Sequence, residues 1–173
     1  LLKDKANTTA LETAKDELKA EVAKENVTAG KTPATAEKYD AAKAAADQAV
    51  KEAETVIGNP DATSEEVATA LANVNAKKSA LADAKSALVE AATAEQKATL
   101  AEDASKLVEA SKDGKTPSSI AAYEAKIRDL TAELEAAKAA AEAVKTAGEN
   151  ASKADAIAAQ AKVNDMKAKL AEA

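Results

Sequence analysis

The sequence predicts an all-α fold: two tandem antiparallel three-helix bundles that share a long continuous helix. The first observation is composition, because alanine supplies 51 of 173 residues while glycine and proline are scarce, as is typical of helical proteins. The second is a run of 52 residues, Ala62 to Asp113, that contains neither Gly nor Pro. As one helix this run would be about 78 Å long, too long for the inside of one small globule. The third is an internal repeat.

The repeat is clearest in the motif Gly-Lys-Thr-Pro, which occupies Gly30–Pro33 and returns 84 residues later at Gly114–Pro117. A tyrosine follows each motif, Tyr39 in one copy and Tyr123 in the other. Other matched positions are 89 residues apart, namely Leu11 and Leu100, Leu18 and Leu107, Val74 and Val163, and Leu81 and Leu170. A unit of about 89 residues therefore occurs twice. We place the first domain at residues 1–90 and the second at residues 91–173.

Three helices are predicted in the first copy. Helix one runs from about Thr9 to about Val27. Thr32–Pro33 opens helix two, because threonine is a good N-cap and proline at the first helical position loses no hydrogen bond. The turn Gly58–Pro60 ends it, and helix three begins at Thr63–Glu66 with a capping box. Spacings of three and four predict these buried residues: Leu11, Leu18, Val22, Tyr39, Ala42, Ala46, Ala49, Val50, Ala53, Ile57, Val67, Leu71, Val74, Leu81 and Leu88.

The second copy follows the same plan with a weaker start to its third helix. Gly148 provides the break, and Ser152–Asp155 replaces the capping box, with an Asp whose shorter side chain reaches back less well than Glu. Ala156 and Gln160 stand where the first copy has Val67 and Leu71. The predicted buried residues of its second and third helices are Ile120, Tyr123, Ile127, Leu130, Leu134, Val144, Ile157, Val163, Met166 and Leu170.

The uninterrupted run of 52 residues explains how two such bundles could be joined. In a bundle of three antiparallel helices, the last helix ends at the opposite end of the bundle from the start of the first helix. Consecutive units can therefore share one helix and form a spectrin-like rod. We place the junction near Ala91–Ala92. A long two-helix coiled coil is the competing architecture, but the Gly and Pro residues near positions 30, 58, 114 and 148 argue against sustained heptads.

Charge and hydropathy exclude several classes of partner. The net charge is −6, with 30 acidic and 24 basic residues interspersed along the predicted helices. Because basic patches and aromatic stacking platforms are missing from the sequence, we expect no binding to nucleic acid. Since no apolar stretch approaches about 18 residues, we also expect no insertion into a membrane. The chain begins without a Met or a signal region and ends within a helical pattern, so we expect it to be a fragment of a larger protein.

The sequence offers little for catalysis or cofactor binding. It contains no His or Cys, which removes catalytic triads, thiol nucleophiles and the usual zinc sites. The carboxylate pairs Glu65–Glu66 and Glu102–Asp103 are interpreted as solvated helix surface. Asn59, Asp61 and Thr63 alternate as calcium ligands might, but no later residue completes the site. Tyr39 and Tyr123 are interpreted as core residues and not as ligand anchors. We therefore predict no enzyme activity, no catalytic, cofactor or metal site, and leave any ligand-binding residues open.

One segment resembles a known family. Gly58–Leu71 reads GNPDATSEEVATAL, follows a Tyr-containing Ala-rich helix and precedes Leu/Ala periodicity. It is similar to the FIVAR module ("found in various architectures") over about residues 11–90, and residues 100–173 keep the helix plan with a different turn. The resemblance implies tandem modules in wall-anchored surface proteins of Gram-positive bacteria, including matrix-binding adhesins, or accessory modules of secreted glycan-degrading enzymes. These implications rest on analogy of fold.

From the resemblance and the helical plan we expect a monomeric stalk in a bacterial surface protein, located outside the cell and anchored to the wall by other regions. It would contact neighbouring repeats of its own chain and project a terminal binding domain. A first alternative is that the repeats themselves bind a host matrix protein such as fibronectin, or a glycan. A second is an accessory module of a secreted glycoside hydrolase, and a third is a cytosolic helical scaffold.

Overall fold

The computed structural model describes residues 6–173, and this part of the chain is helical. The helices are α1 (Thr9–Val22), α2 (Pro33–Gly58), α3 (Ser64–Ser86), α4 (Ala94–Ser105), α5 (Pro117–Ala147) and α6 (Lys153–Glu172), with a short 3₁₀ turn at Gly148–Asn150. The described residues form no strand, and an isolated antiparallel bridge joins Ala91 and Ser152. The all-α prediction is confirmed.

The chain divides into two compact units, Leu1–Val89 and Glu90–Ala173. In the first unit α1, α2 and α3 contact one another in all three pairs, and in the second α4, α5 and α6 do the same. Each unit has its own hydrophobic core. The units are therefore described separately below.

The core of the first unit is built largely from small side chains. Leu11 and Leu18 on α1 and Val74 on α3 are fully buried, and they meet a face of α2 on which Ala46 and Ala53 are also fully buried. Because the alanine side chain is short, two helix axes can approach each other closely, and α2 packs closely against its neighbours. Each buried alanine also removes much less apolar surface from water than a leucine would. The large side chains in this core therefore carry most of its stability.

The second unit buries Leu100, Leu107, Val163 and Met166 almost completely, but one predicted core residue lies outside it. Ile157 on α6 is 54% exposed, so the prediction that it is buried is wrong. The helix instead buries Ala156, and neighbouring residues on a helix point about 100° apart. The buried face follows spacings of three and four and carries Ala156, Ala159, Val163 and Met166, so Ile157 lies outside it.

The prediction of one long shared helix is wrong. Helix α3 ends at Ser86 and α4 begins only at Ala94. Within the second unit, the N–H of Ala92 donates to the carbonyl of Ala151 at 2.8 Å and the N–H of Lys153 donates to the carbonyl of Glu90 at 2.8 Å. These bonds use backbone groups that a continuous helix would need for itself. Residues 87–93 are therefore non-helical although the segment contains neither Gly nor Pro.

A capping box at Thr93 also starts a new helix inside the run. The Thr93 hydroxyl accepts a hydrogen bond from the Gln96 N–H at 3.1 Å, and the Gln96 side chain accepts one from the Thr93 N–H at 3.0 Å. The helix that it starts ends at Ser105, so residues 106–116 form a second interruption. The 52-residue run thus contains two breaks. Local caps and tertiary hydrogen bonds outweigh helix propensity here.

Two further boundaries show how loop and cap chemistry set the helix ends. Helix α1 stops at Val22, earlier than predicted, and Asn26 in the following turn has a φ of 58°, a left-handed conformation that Asn tolerates.

The capping box predicted at Thr63 is confirmed. At α6 the Ser152 hydroxyl accepts from the Asp155 N–H at 3.0 Å but itself donates to the Asp155 carboxylate. Asp155 therefore completes a weaker cap than Glu66 does.

Replacing Thr93 by Ala is expected to destabilise the second unit by about 1 kcal/mol, because the N-cap acceptor for the Gln96 N–H is lost. The free energy of unfolding from urea titration measures this effect. Thr99→Ala is the matched control, since Thr99 is exposed within α4 and alanine is a better helix former. A loss in T99A as large as that in T93A would contradict the capping role.

Candidate functional site

The carboxylate pair Glu65–Glu66 serves the start of α3. The Glu66 carboxylate accepts hydrogen bonds from the Thr63 N–H at 2.8 Å and from the Thr63 hydroxyl at 3.0 Å. The backbone hydrogen bond from Thr63 is the main cause that lowers the pKa of Glu66. Glu65 is exposed on the first turn. Glu66 therefore caps the helix, and Glu65 is its exposed neighbour.

The loop residues that resemble calcium ligands are used in the turn itself. The Asn59 side-chain oxygen accepts a hydrogen bond from the Asp61 N–H at 3.0 Å, and the Thr63 hydroxyl caps α3. Asp61 is exposed. Within residues 6–173, no group of three or more His, Cys, Asp or Glu side chains is arranged to hold a metal ion.

The two tyrosines, which occupy matching places in the repeat, differ in burial. Tyr39 is 2% exposed within the core of the first unit, and burial raises the pKa of its hydroxyl. Tyr123 is half-buried, and its hydroxyl accepts a hydrogen bond from the Ala110 N–H at 2.7 Å. The interpretation of Tyr39 as a core residue is confirmed. Tyr123 instead holds the non-helical segment between α4 and α5 against α5.

The second carboxylate pair, Glu102–Asp103, is split between two environments. Glu102 is exposed and forms an ion pair with Lys106 at 2.7 Å. Asp103 faces α6, where Lys167 Nζ donates to one carboxylate oxygen at 2.7 Å and Gln160 Nε2 donates to the other at 2.8 Å. The Asp103 side chain is only 18% exposed. This cluster of Asp103, Gln160 and Lys167 joins α4 to α6.

The repeat explains why this polar cluster exists. Asp103 stands 89 residues after Ala14, and Gln160 stands 89 residues after Leu71. Ala14 is buried in the first unit, and Leu71 packs against the same core. A hydrogen-bonded carboxylate and amide thus replace an apolar pair in the second unit. A half-buried carboxylate needs such partners, since a buried charge without them is costly. The sequence showed the change at Gln160, but its pairing with Asp103 requires the structure.

The Asp103 cluster predicts a pH dependence of stability. The hydrogen bond from Lys167 is the main cause that lowers the pKa of Asp103 below its ordinary value of 3.8. A group with a lowered folded pKa stabilises the protein above its unfolded pKa, and this contribution is lost as the pH falls through the folded pKa. We therefore expect the second unit to lose more stability in the wild type than in Asp103→Asn between about pH 5 and about pH 2.

Urea titration in a Tyr39→Phe background measures this difference, because Tyr123 is then the one tyrosine left and reports on the second unit. Glu102→Gln is the matched control, since Glu102 is the exposed neighbour of Asp103. Parallel acid profiles for D103N and the wild type would show that the cluster adds no pH-dependent stability.

A groove of about 450 Å³ lies between α4 and α6 of the second unit. Its apolar part includes the exposed side chain of Ile157 together with Ala156 and Ala161. Amide, hydroxyl and carboxylate groups line the rest, supplied by Glu95, Gln96, Thr99, Gln160 and Asn164. The groove can accept an apolar side chain of a ligand while its polar groups form hydrogen bonds with the ligand backbone beside that side chain.

Among the helices of residues 6–173, none combines the length and the apolar character that a membrane span requires.

Comparison with known families identifies the fold of the first unit. Residues 14–82 match the family model of the FIVAR domain. The first unit contains a FIVAR domain. The match begins within α1 and continues through most of α3. It confirms the resemblance carried by Gly58–Leu71, the turn and first helical residues of α3 in this FIVAR domain.

Comparison with solved structures gives a weaker similarity. One such chain was solved in a study of how the extracellular matrix binding protein (Embp) mediates the adherence of Staphylococcus epidermidis to fibronectin. It is 23% identical, and the alignment covers 96% of this chain and 98% of that chain with a TM-score of 0.37. A TM-score this low does not establish a common arrangement. No curated protein is significantly similar to the sequence.

Proposed function

We propose that this chain is a non-catalytic spacer segment of a bacterial surface protein. The FIVAR domain and the second helical unit are successive repeats, with the first repeat at residues 1–90 and the second at residues 91–173. They hold a terminal binding domain away from the wall of a Gram-positive cell, to which other regions of a longer protein are anchored. The segment acts as a monomer.

The observation that carries this proposal is that each unit has a hydrophobic core of its own. A unit that buries its own apolar residues can be repeated in series, because adding a copy leaves the existing cores unchanged. The FIVAR match over residues 14–82 supports the setting in a surface protein. Three of the four carboxylates considered for catalysis have structural partners, since Glu66 caps a helix while Glu102 and Asp103 pair with lysine or glutamine side chains.

A display experiment tests the spacer function. A terminal binding domain is fixed to a bacterial surface through no copy, one copy or two copies of this chain, and capture of ligand-coated beads is counted. Capture is expected to rise with copy number, because a longer spacer carries the binding domain farther from the wall. The matched control replaces the chain by a Gly/Ser linker of the same number of residues, which forms a compact random coil. Capture that is independent of copy number would overturn the proposal.

A second candidate function is direct binding of a host matrix protein or glycan, and the groove between α4 and α6 favours it. Ile157 is a large apolar side chain that is 54% exposed beside amide groups. This function predicts saturable binding to fibronectin or to a glycan that Ile157→Glu abolishes. Val108→Glu is the matched control, since Val108 is 67% exposed and does not line the groove. Equal binding by both variants would exclude the groove as the binding site.

A further inference from the structure

The first unit clamps one non-helical residue, Val89, at the start of α2. The carbonyl of Val89 accepts a hydrogen bond from the Thr32 N–H at 2.8 Å, and the N–H of Val89 donates to the Thr35 hydroxyl at 3.2 Å. Thr32 is 3% exposed, a rare degree of burial for a threonine at a helix start. Both backbone hydrogen-bonding groups of Val89 are therefore held, one by the N-cap residue Thr32 and the other by Thr35 in the first turn of α2.

The second unit repeats the chemistry of this clamp. Thr116 and Ser119 occupy the positions of Thr32 and Thr35, 84 residues later. In the first unit the Thr35 hydroxyl donates to the Thr32 carbonyl at 3.1 Å, and in the second the Ser119 hydroxyl donates to the Thr116 carbonyl at 2.9 Å. The hydroxyl oxygens of each pair also lie within hydrogen-bonding distance of each other, at 2.9 and 3.0 Å. The second pair is thus already arranged as the first pair is when it holds Val89.

No chain occupies this second clamp within residues 6–173. The Thr116 N–H has no hydrogen-bond partner among the described residues, and both Thr116 and Ser119 are exposed. A cavity of about 150 Å³ opens beside them, lined in part by Ser119, Ile120 and Tyr123. In the first unit the equivalent Tyr39 is 2% exposed, and Leu88, the residue before Val89, packs against the same core. The second unit therefore lacks the apolar side chain as well as the clamped backbone.

The end of α6 approaches this place along α5. Lys126 Nζ on α5 donates to the carbonyl of Glu172 at 3.0 Å. From Lys126 to Ser119 is seven residues of helix, or about 10 Å. A chain leaving α6 can cover that distance with about three extended residues or seven helical ones. The clamp is therefore within reach of residues that follow α6.

We propose that Thr116 and Ser119, with the cavity beside Tyr123, form a docking site for an extended apolar segment that follows α6 in a longer chain. The segment is the counterpart of Leu88–Val89: its first side chain fills the cavity and the backbone of its second residue is held by Thr116 and Ser119. A helix start alone would attract any acceptor, but the occupied clamp in the first unit specifies this occupant. The site does not depend on the spacer function.

The test extends the chain beyond Ala173 in two ways. One variant carries Lys-Ser-Ala-Leu-Val, the sequence that precedes and includes Val89, and the other carries the same five residues after five additional helix-forming residues. Hydrogen exchange at the Thr116 N–H is measured by nuclear magnetic resonance. We expect at least one extension to slow this exchange by about tenfold or more, because a hydrogen-bonded amide exchanges only when the site opens. Unchanged exchange in both variants would overturn the proposal.

Two controls separate docking from a general effect of the added residues. Replacing Leu-Val in the extension by Gly-Ser is expected to abolish the protection of the Thr116 N–H. In the extended chain, Ser119→Ala removes the acceptor for the clamped N–H and is expected to reduce protection, whereas Ser119→Thr restores the hydroxyl found at Thr35 and retains it. Ser119 is exposed, so these substitutions leave the core intact. Equal protection in S119A and the extended parent would show that the clamp does not hold the segment.

Discussion

Replacing Leu18 by Ala is expected to destabilise the first unit strongly while the second unit keeps its stability. Leu18 is fully buried, and truncating a buried leucine costs about 3 to 5 kcal/mol through lost burial and the cavity left behind. A unit of this size has a total stability of about 4 to 13 kcal/mol. Nearly half of the buried residues described in this core are alanine, so the loss of one of its few leucines removes a large fraction of the total stability.

Leu107→Ala gives the reciprocal experiment, because Leu107 is the matching residue of the second unit and is 1% exposed. Each unit contains one tyrosine, so Tyr39 reports on the first and Tyr123 on the second during urea titration. We expect L18A to shift the transition seen in a Tyr123→Phe background and L107A to shift the one seen in a Tyr39→Phe background. If either leucine variant shifted both transitions equally, the two cores could not be independent.

Replacing Ala46 by Leu is expected to destabilise the first unit even though it adds apolar surface. Ala46 is fully buried on α2 among other small residues, and extra methylene groups in a packed core cost about 1 to 3 kcal/mol. The expected result is a lower urea midpoint for the first unit. This destabilisation follows from the close packing of α2, because the substitution itself removes no contact.

Ala44→Leu is the matched control, since Ala44 lies on the same helix and is exposed. Alanine and leucine have similar helix propensities, so A44L is expected to change the stability by less than about 0.5 kcal/mol. A stabilising effect of A46L would mean that the core around α2 contains unfilled space, contrary to the packing described here.

The sequence predicts the elements of this fold well where a strong local signal exists. Leucines at helical spacing identified Leu11, Leu18 and Leu81 as buried, and the pattern Thr-x-x-Glu located the cap at Thr63. These signals are short-range, so the residues that carry them determine the result. The same kind of signal, Thr-x-x-Gln at Thr93–Gln96, marks the break in the long run and could have been recognised.

Other features depend on contacts between distant residues. Ile157 is predicted to be buried together with Val163 and Met166. Because α6 is rich in alanine, the same face continues through Ala159 and Ala156 instead, and Ile157 lies outside it. The pairing of Asp103 with Gln160 joins residues that are 57 positions apart. The bonds of residues 90–92 with residues 151–153 likewise depend on how α6 packs. Such features follow from tertiary structure, which overrides local propensity.

The measurement that tests the spacer account most directly is a binding titration of the whole chain at physiological salt. Immobilised fibronectin, fibrinogen, collagen and a mammalian glycan array serve as targets, and the Leu18→Ala, Leu107→Ala double variant serves as a destabilised control. The account predicts no saturable binding to any target. Saturable binding that survives higher salt and is lost in the destabilised control would contradict it, and would identify the folded repeats themselves as the adhesive part of the protein.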